Sequence, residues 1–215
     1  MIITIGGIKG GSGKTTVATN LTVIRANSGR DVLLIDADDQ ETSTDFTALR
    51  TERKTDAGYT SIKLSGTAVR TETLKLKTKY DDIIIDTGGR DTTSQRAALT
   101  VSDLLIVPFV PRSFDIWTIE KVSGLVEEMR AANPNLRAYT FINRADARGN
   151  DNNDAAEVLK DDSVLQLLDV VIVHRKAFGN AAAEGLAVTE IKPADQKASE
   201  EINSLYNQVF DTENV

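Results

Sequence analysis

Runs of four or five residues, mostly β-branched or leucine, recur along the chain at Ile2–Ile5, Val32–Asp36, Ile83–Asp86, Leu104–Pro108, Tyr139–Asn143 and Val170–Val173. No alternating polar positions interrupt them, which is the pattern of strands covered on both faces and therefore paired in parallel through crossovers. Helical spacing predicts helices over Thr15–Ala26, Thr93–Ser102, Phe114–Ala132 and Ala194–Phe210. In the last, Ile202, Leu205 and Val209 fall at three- and four-residue steps, and Ser28-Gly29-Arg30 supplies a glycine stop for the first. Strands alternating with helices in this way define an α/β class with a doubly wound, mostly parallel sheet. Residues 41–80 are too mixed in pattern to assign, and Arg144–Asp154 reads as a polar, turn-rich surface loop.

Composition narrows the class of protein. At 215 residues and 23.3 kDa the expectation is one domain spanning residues 1–215. The longest purely apolar runs, such as Val32–Ile35 and Leu104–Val107, are four residues. A bilayer-spanning helix needs about 20. Met1 leads directly into Ile2-Ile3-Thr4-Ile5 without a basic or long apolar leader, so a cytoplasmic location is expected. The chain has no cysteine, which excludes disulfides, zinc–thiolate sites, iron–sulfur clusters and thiol nucleophiles. The formal charge is −7, unevenly spread. Residues 50–79 carry eight basic side chains (Arg50, Arg53, Lys54, Lys63, Arg70, Lys75, Lys77, Lys79) against three acidic ones, a net +5 that leaves −12 elsewhere.

The most informative segment is Gly7-Ile8-Lys9-Gly10-Gly11-Ser12-Gly13-Lys14-Thr15-Thr16, between the first strand and the first helix. A glycine-rich turn there lets backbone N–H groups converge on phosphate oxygens, and the helix N-terminus adds its orphan donors and dipole. Lys14 would reach the β- and γ-phosphates, and the Thr15 hydroxyl would ligate Mg²⁺. The usual spacing puts a first glycine where this chain has Ile8. Two acidic segments, Asp36-Ala37-Asp38-Asp39-Gln40 and Asp86-Thr87-Gly88-Gly89, end the second and third predicted strands, and a parallel sheet would bring them to the same crevice.

Lys9-Gly10-Gly11-Ser12-Gly13-Lys14-Thr15 resembles the deviant Walker A signature of the ParA/MinD family, in which a second lysine precedes the glycines. Asp36–Gln40 looks like that family's switch I, with Asp39 in place of its usual proline, and Ile83–Gly89 is similar to its Walker B and switch II segment. Ile106–Pro111 looks like the strand-plus-proline segment before an interface helix, Asn143-Arg144 sits where members contact adenine, and Arg175–Val188 is similar to their C-terminal signature. The resemblance implies a P-loop NTPase fold with ATP and Mg²⁺ as cofactors. Gly10, Gly11, Ser12, Gly13, Lys14, Thr15, Thr16, Gly89, Asn143 and Arg144 would contact nucleotide, and Thr15, Asp38 and Asp86 would surround the metal. Lys9, Lys14 and Asp38 would carry catalysis. Asp38 would help set the attacking water, and Lys9 would cross to the phosphates of a partner subunit, making a homodimer around two ATP molecules.

Within that family the absence of cysteine excludes a nitrogenase-iron-protein-like role. Residues 194–215 carry five acidic side chains against Lys197, which disfavours a MinD-like amphipathic membrane helix. Tyr206 alone does not make the tyrosine cluster of a bacterial tyrosine-kinase relative. The phosphate loop begins within ten residues of Met1, so an N-terminal helix-turn-helix is not expected. The branch implied is a small ParA-type ATPase, of the partition or McdA-like positioning kind. Such a protein is expected to bind DNA without sequence preference as an ATP dimer, to be stimulated by a cognate ParB-like or adaptor partner, and to move cargo such as plasmid or chromosomal DNA or a carboxysome. The basic residues of segment 50–79, with Arg175, Lys176, Lys192 and Lys197, are candidate DNA-phosphate contacts. The alternative is a small-molecule ligase or kinase resembling dethiobiotin synthetase. His174 is expected near the nucleotide base or a sheet edge, and Trp117 in core or interface packing.

Overall fold

In the computed structural model, which describes residues 1–111, 116–146 and 151–210, a seven-stranded sheet carries helices on both faces. The strands are β1 (Ile2–Ile5), β2 (Val32–Ala37), β3 (Thr60–Lys63), β4 (Asp82–Thr87), β5 (Leu104–Phe109), β6 (Arg137–Ala145) and β7 (Gln166–Val173). The helices are α1 (Lys14–Asn27), α2 (Thr42–Lys54), α3 (Ala68–Leu76), α4 (Thr93–Leu99), α5 (Ile116–Arg130), α6 (Asp151–Lys160), α7 (Lys176–Ala182) and α8 (Gln196–Phe210). Spatial order is β3-β2-β4-β1-β5-β6-β7, with every neighbouring pair parallel. This is the doubly wound, parallel arrangement that the strand pattern predicts, and it agrees with the P-loop NTPase fold that the resemblance implies. Trp117 has its side chain outside the described residues.

Alternate positions of each central strand feed opposite cores, as a period of two requires. Val32, Leu34, Ile84, Leu104 and Ile106 pack with Val17 and Leu21 of α1 and with Ile202, Leu205 and Val209 of α8. Leu33, Ile35, Ile83 and Ile85 face the other way, against Val69 of α3 and Ala97 and Ala98 of α4. Leu105 and Val107 pack on α5. Each such side chain, once buried, is stabilising by about 1.5–3 kcal/mol relative to exposure. The apolar face of α8 is thus consumed by the core. No described helix is long and apolar enough to cross a membrane.

The open segment 41–80 resolves into α2, edge strand β3 and α3. The polar loop predicted at Arg144–Asp154 is shorter than the sequence implies, because β6 runs to Ala145 and α6 starts at Asp151; residues 147–150 lie outside the described residues. Register places the candidate site. Asp36 of β2 pairs with Asp86 of β4, which in turn sits level with Ile5 of β1, so both acidic segments and the glycine-rich loop leave the sheet at one end.

Candidate functional site

The loop between β1 and α1 is built by turning its carbonyls into the protein. Lys14 Nζ donates to the Lys9 carbonyl at 2.9 Å, Arg144 to that of Gly11 at 2.7 Å and Asn143 Nδ2 to that of Ser12 at 2.7 Å. Gly13, in the left-handed region at φ 90°, caps α1 without a side chain, so the first-turn N–H groups meet no capping oxygen. Those N–H groups and the helix dipole are a ready anion site. Glycine is required at 13, since a Cβ would fall 2.5 Å from Asn143 Nδ2 in addition to the backbone strain.

Two cavities meet over this loop. One, about 800 Å³ and open, is bordered by Gly10, Gly11, Lys14 and Thr15 of the loop and by Asp38, Gly88 and Gly89 from the ends of β2 and β4. The second, about 250 Å³, lies between the ends of β6 and β7 and α7, with Asn143, His174, Phe178 and Ile172 in its wall. Gly13, Thr16 and Arg144 border both. A polar cavity fit for a triphosphate therefore opens into a more apolar one fit for a planar base. His174 lines the smaller cavity, its Nδ1 accepting from Arg144 Nε at 3.4 Å.

The electrostatics of the larger cavity are set by three ionisable groups. Lys14 is 6% exposed; burial pulls its pKa below the usual lysine value, against the opposing pull of the Asp86 and Asp38 carboxylates. Asp86 is fully buried, and burial pushes its carboxyl up to about 7, helped by Asp36 and opposed by the nearby Thr15 and Ser43 hydroxyls and by Lys14. Neither Asp86 oxygen completes a hydrogen bond, nor does Ser43 Oγ. Such orphaned acceptors cost roughly 1–3 kcal/mol or more if left unmet. A hydrated Mg²⁺ fits that need: Asp86 would accept from its waters and Thr15 would ligate it directly. Among the described residues no cluster of three or more acidic or histidine side chains offers a fully protein-built cage, so phosphate and water would supply the remaining ligands.

Asp36, by contrast, is spent on architecture. Its Oδ1 accepts from the Asp38 N–H at 3.1 Å and its Oδ2 from the Thr44 N–H and hydroxyl at 2.8 and 2.7 Å, which bends the chain after β2 and starts α2. Asp38 accepts from the Gln40 N–H at 3.2 Å and packs directly against Gly88, where a Cβ would lie 3.0 Å from its Oδ1. Lys9, half-buried, borders a neighbouring cavity with Val107 and Phe109, which shares Gly10, Gly11 and Arg144 with the phosphate cavity, and does not line the phosphate cavity itself.

Sequence reasoning missed Gln95. Its buried side-chain oxygen accepts from the Gly7 N–H at 3.2 Å and from the Thr87 hydroxyl at 3.0 Å, tying the phosphate loop to the end of β4. Nothing in the pattern of α4 singles it out. One of the basic candidates needs correction too. Arg50 is buried at 3% exposure and bonded to Glu190, so it does not face solvent. Arg53, Lys54, Lys63, Lys75 and Arg175 are held by Glu184, Glu190, Glu41, Glu72 and Glu201. Arg70, Lys77, Lys79, Lys176, Lys192 and Lys197 are exposed and enter no ion pair among the described residues.

Fold and site together define a nucleotide-binding α/β protein of the P-loop kind. A profile of the CobQ/CobB/MinD/ParA nucleotide binding domain matches residues 3–188, and the chain belongs to that family. The maintenance of carboxysome distribution protein A of Halothiobacillus neapolitanus is 25% identical over 210 residues, covering 97% of this chain and 95% of that protein. Among solved structures, the ATP complex of an McdA variant from Cyanothece superposes with a TM-score of 0.77 at 17% identity over 98% of this chain and 96% of that one. MinD from Pyrococcus horikoshii with Mg-ADP gives 0.75 at 22% identity over 99% and 97%.

Proposed function

We propose that the protein is a ParA-type ATPase that forms an ATP-sandwich homodimer, binds DNA without sequence preference and uses partner-stimulated hydrolysis to segregate or position intracellular cargo. The observation that carries this reading is the pair of joined cavities over a loop whose carbonyls are tied back by Lys14, Arg144 and Asn143. The relative that positions carboxysomes matches nearly end to end, which favours a protein compartment or DNA as cargo over a small-molecule substrate.

In this reading Asn143, Arg144 and His174 frame the base, and the N–H groups of Gly10 to Thr16 cradle the phosphates. When bound, Mg²⁺ supplies charge neutralisation at the β- and γ-oxygens. Lys14 neutralises the same oxygens from the protein side, and its burial makes that contact strong because little water competes. Asp38 orients the water that attacks the γ-phosphate. Lys9 of the partner subunit closes over the triphosphate, which fits a side chain that borders a cavity beside its own phosphate site instead of lining it. Loss of γ-phosphate removes that lysine's counter-charge and opens the dimer. The protein works in the cytoplasm, on the nucleoid when ATP-bound.

The test is an electrophoretic shift on random-sequence duplex, run beside a turnover assay. A shift with ATP and Mg²⁺ but not with ADP, together with slow phosphate release, supports the reading. Absence of any shift at low salt with ATP, or rapid turnover that needs a small-molecule acceptor, rejects it in favour of the ligase alternative.

A further inference from the structure

Arg90 follows the Gly88-Gly89 pair and borders the phosphate cavity together with Lys14, Thr15 and Asp38. Its position is dictated by backbone packing. A Cβ on Gly89 would lie 2.6 Å from Gly10 Cα and 3.0 Å from the Lys9 carbonyl carbon, and one on Gly88 would lie 3.0 Å from an Asp38 carboxylate oxygen. The chain after β4 is therefore pressed onto the phosphate loop, and residue 90 emerges at the rim of the cavity.

The neighbouring acid is already engaged. Arg96 Nε and one of its terminal nitrogens each donate to an Asp91 oxygen at 2.8 Å, and its other terminal nitrogen donates to Glu128 of α5 at 2.6 Å. This clamp pins the base of the loop to α4 and α5. Arg90 is exposed, and among the described residues no carboxylate or carbonyl holds its guanidinium, although Asp38 and Asp39 share the cavity. An exposed arginine on a fixed backbone, beside a cavity shaped for phosphate and denied its adjacent acid, is in place for an anion. A guanidinium presents two parallel donors that match two oxygens of one phosphate group.

We propose that Arg90 binds the terminal phosphate of ATP held by its own chain, a second cation beside Lys14 that makes affinity depend on the γ-phosphate. The inference rests on the nucleotide-binding reading above and adds a residue that discriminates ATP from ADP.

The experiment measures dissociation constants for ADP and for a non-hydrolysable ATP analogue by fluorescence anisotropy, with Mg²⁺, in wild type, Arg90→Ala and Arg90→Lys. Arg90→Ala is expected to weaken the analogue roughly tenfold while leaving ADP within about twofold, and Arg90→Lys to fall between. The exposed side chain makes no contact that folding needs, so the apo melting temperature should match wild type in both variants. Equal weakening for the two nucleotides, or an unchanged ratio, overturns the assignment. Failure of wild type to bind either nucleotide would instead sink the reading on which it rests, so the two failures are told apart.

Discussion

Gly89 and Gly10 are in such close backbone contact that a Cβ at position 89 would lie 2.6 Å from the Gly10 Cα and 2.7 Å from its nitrogen. Neither atom belongs to a flexible side chain, so Gly89→Ala must move the segment after β4 off the phosphate loop. The forced backbone shift should cost about 1–3 kcal/mol of stability, so binding is read under conditions where the variant is shown to be folded. Affinity for a non-hydrolysable ATP analogue should drop by roughly tenfold or more, read by anisotropy, with urea unfolding as the control.

Lys14 and Asp38 border the same cavity and should fail differently. Lys14→Ala removes the buried cation opposite the phosphates and should lower affinity for ADP and ATP alike by at least about tenfold. Asp38→Ala should retain ATP binding while phosphate release falls by roughly two orders of magnitude, the range expected on deleting a group that acts on the attacking water. Equal turnover in Asp38→Ala and wild type removes that residue from the mechanism.

Arg50 and Glu190 join α2 to the segment after α7 through two bonds of 2.7 and 3.0 Å, with Lys54 added at 2.5 Å. Arg50 is buried but Glu190 is only half-buried and keeps Lys54, so Arg50→Ala should be destabilising by about 1–3 kcal/mol and lower the urea midpoint without touching the phosphate cavity.

The same pair sets an acid limit. Burial alone would raise the Glu190 carboxyl, but Arg50, Lys54 and the Ala187 N–H outweigh it and hold it down at about 2, against an ordinary value of 4.5. A depressed carboxyl contributes stability that is fully present above the unfolded value and is lost as pH falls from about 4.5 toward 2, because the unfolded chain takes up the proton first. Between pH 7 and 3.5 wild type should lose on the order of 1 kcal/mol more than Glu190→Gln in urea titrations. Parallel losses would show that Glu190 titrates as an ordinary surface acid.

Charge read along the chain and charge read in space disagree, and the reason is long-range pairing. Segment 50–79 reads as a basic stretch, yet Arg50 is matched by Glu190 and Arg53 by Glu184, acids more than a hundred residues away that no local window contains. The central strands were legible because β1, β2, β4 and β5 are buried on both faces and so appear as unbroken apolar runs. β3 was not: Thr60–Lys63 lies at the sheet edge, exposed or half-buried throughout. Its neighbour α2 was hidden because it is mostly polar and bounded by Glu41 and Thr55, both at positive φ, where glycine would have marked the ends. The phosphate loop and both acidic strand ends could be placed because strand, glycine turn and helix are contiguous. Asn143 and Arg144 came from resemblance alone, and their bonds to the Ser12 and Gly11 carbonyls emerge only once β6 is set two places from β1.

DNA binding, if made by exposed unpaired cations, should be sensitive to Lys176, Lys192 and Lys197 and insensitive to Lys75, which is held by Glu72. Replacing the three lysines with alanine should lower the slope of log affinity against log salt by roughly 0.9 for each DNA phosphate that is no longer neutralised. An unchanged slope would place the DNA surface elsewhere.

The most direct measurement is solution mass by light scattering with ATP and Mg²⁺, on an Asp38→Ala background that retains nucleotide, with and without the further change Lys9→Ala. A dimer in the first protein and a monomer that still binds ATP in the second is the expected result. A mass that does not respond to ATP, or a dimer that survives loss of Lys9, would contradict the account.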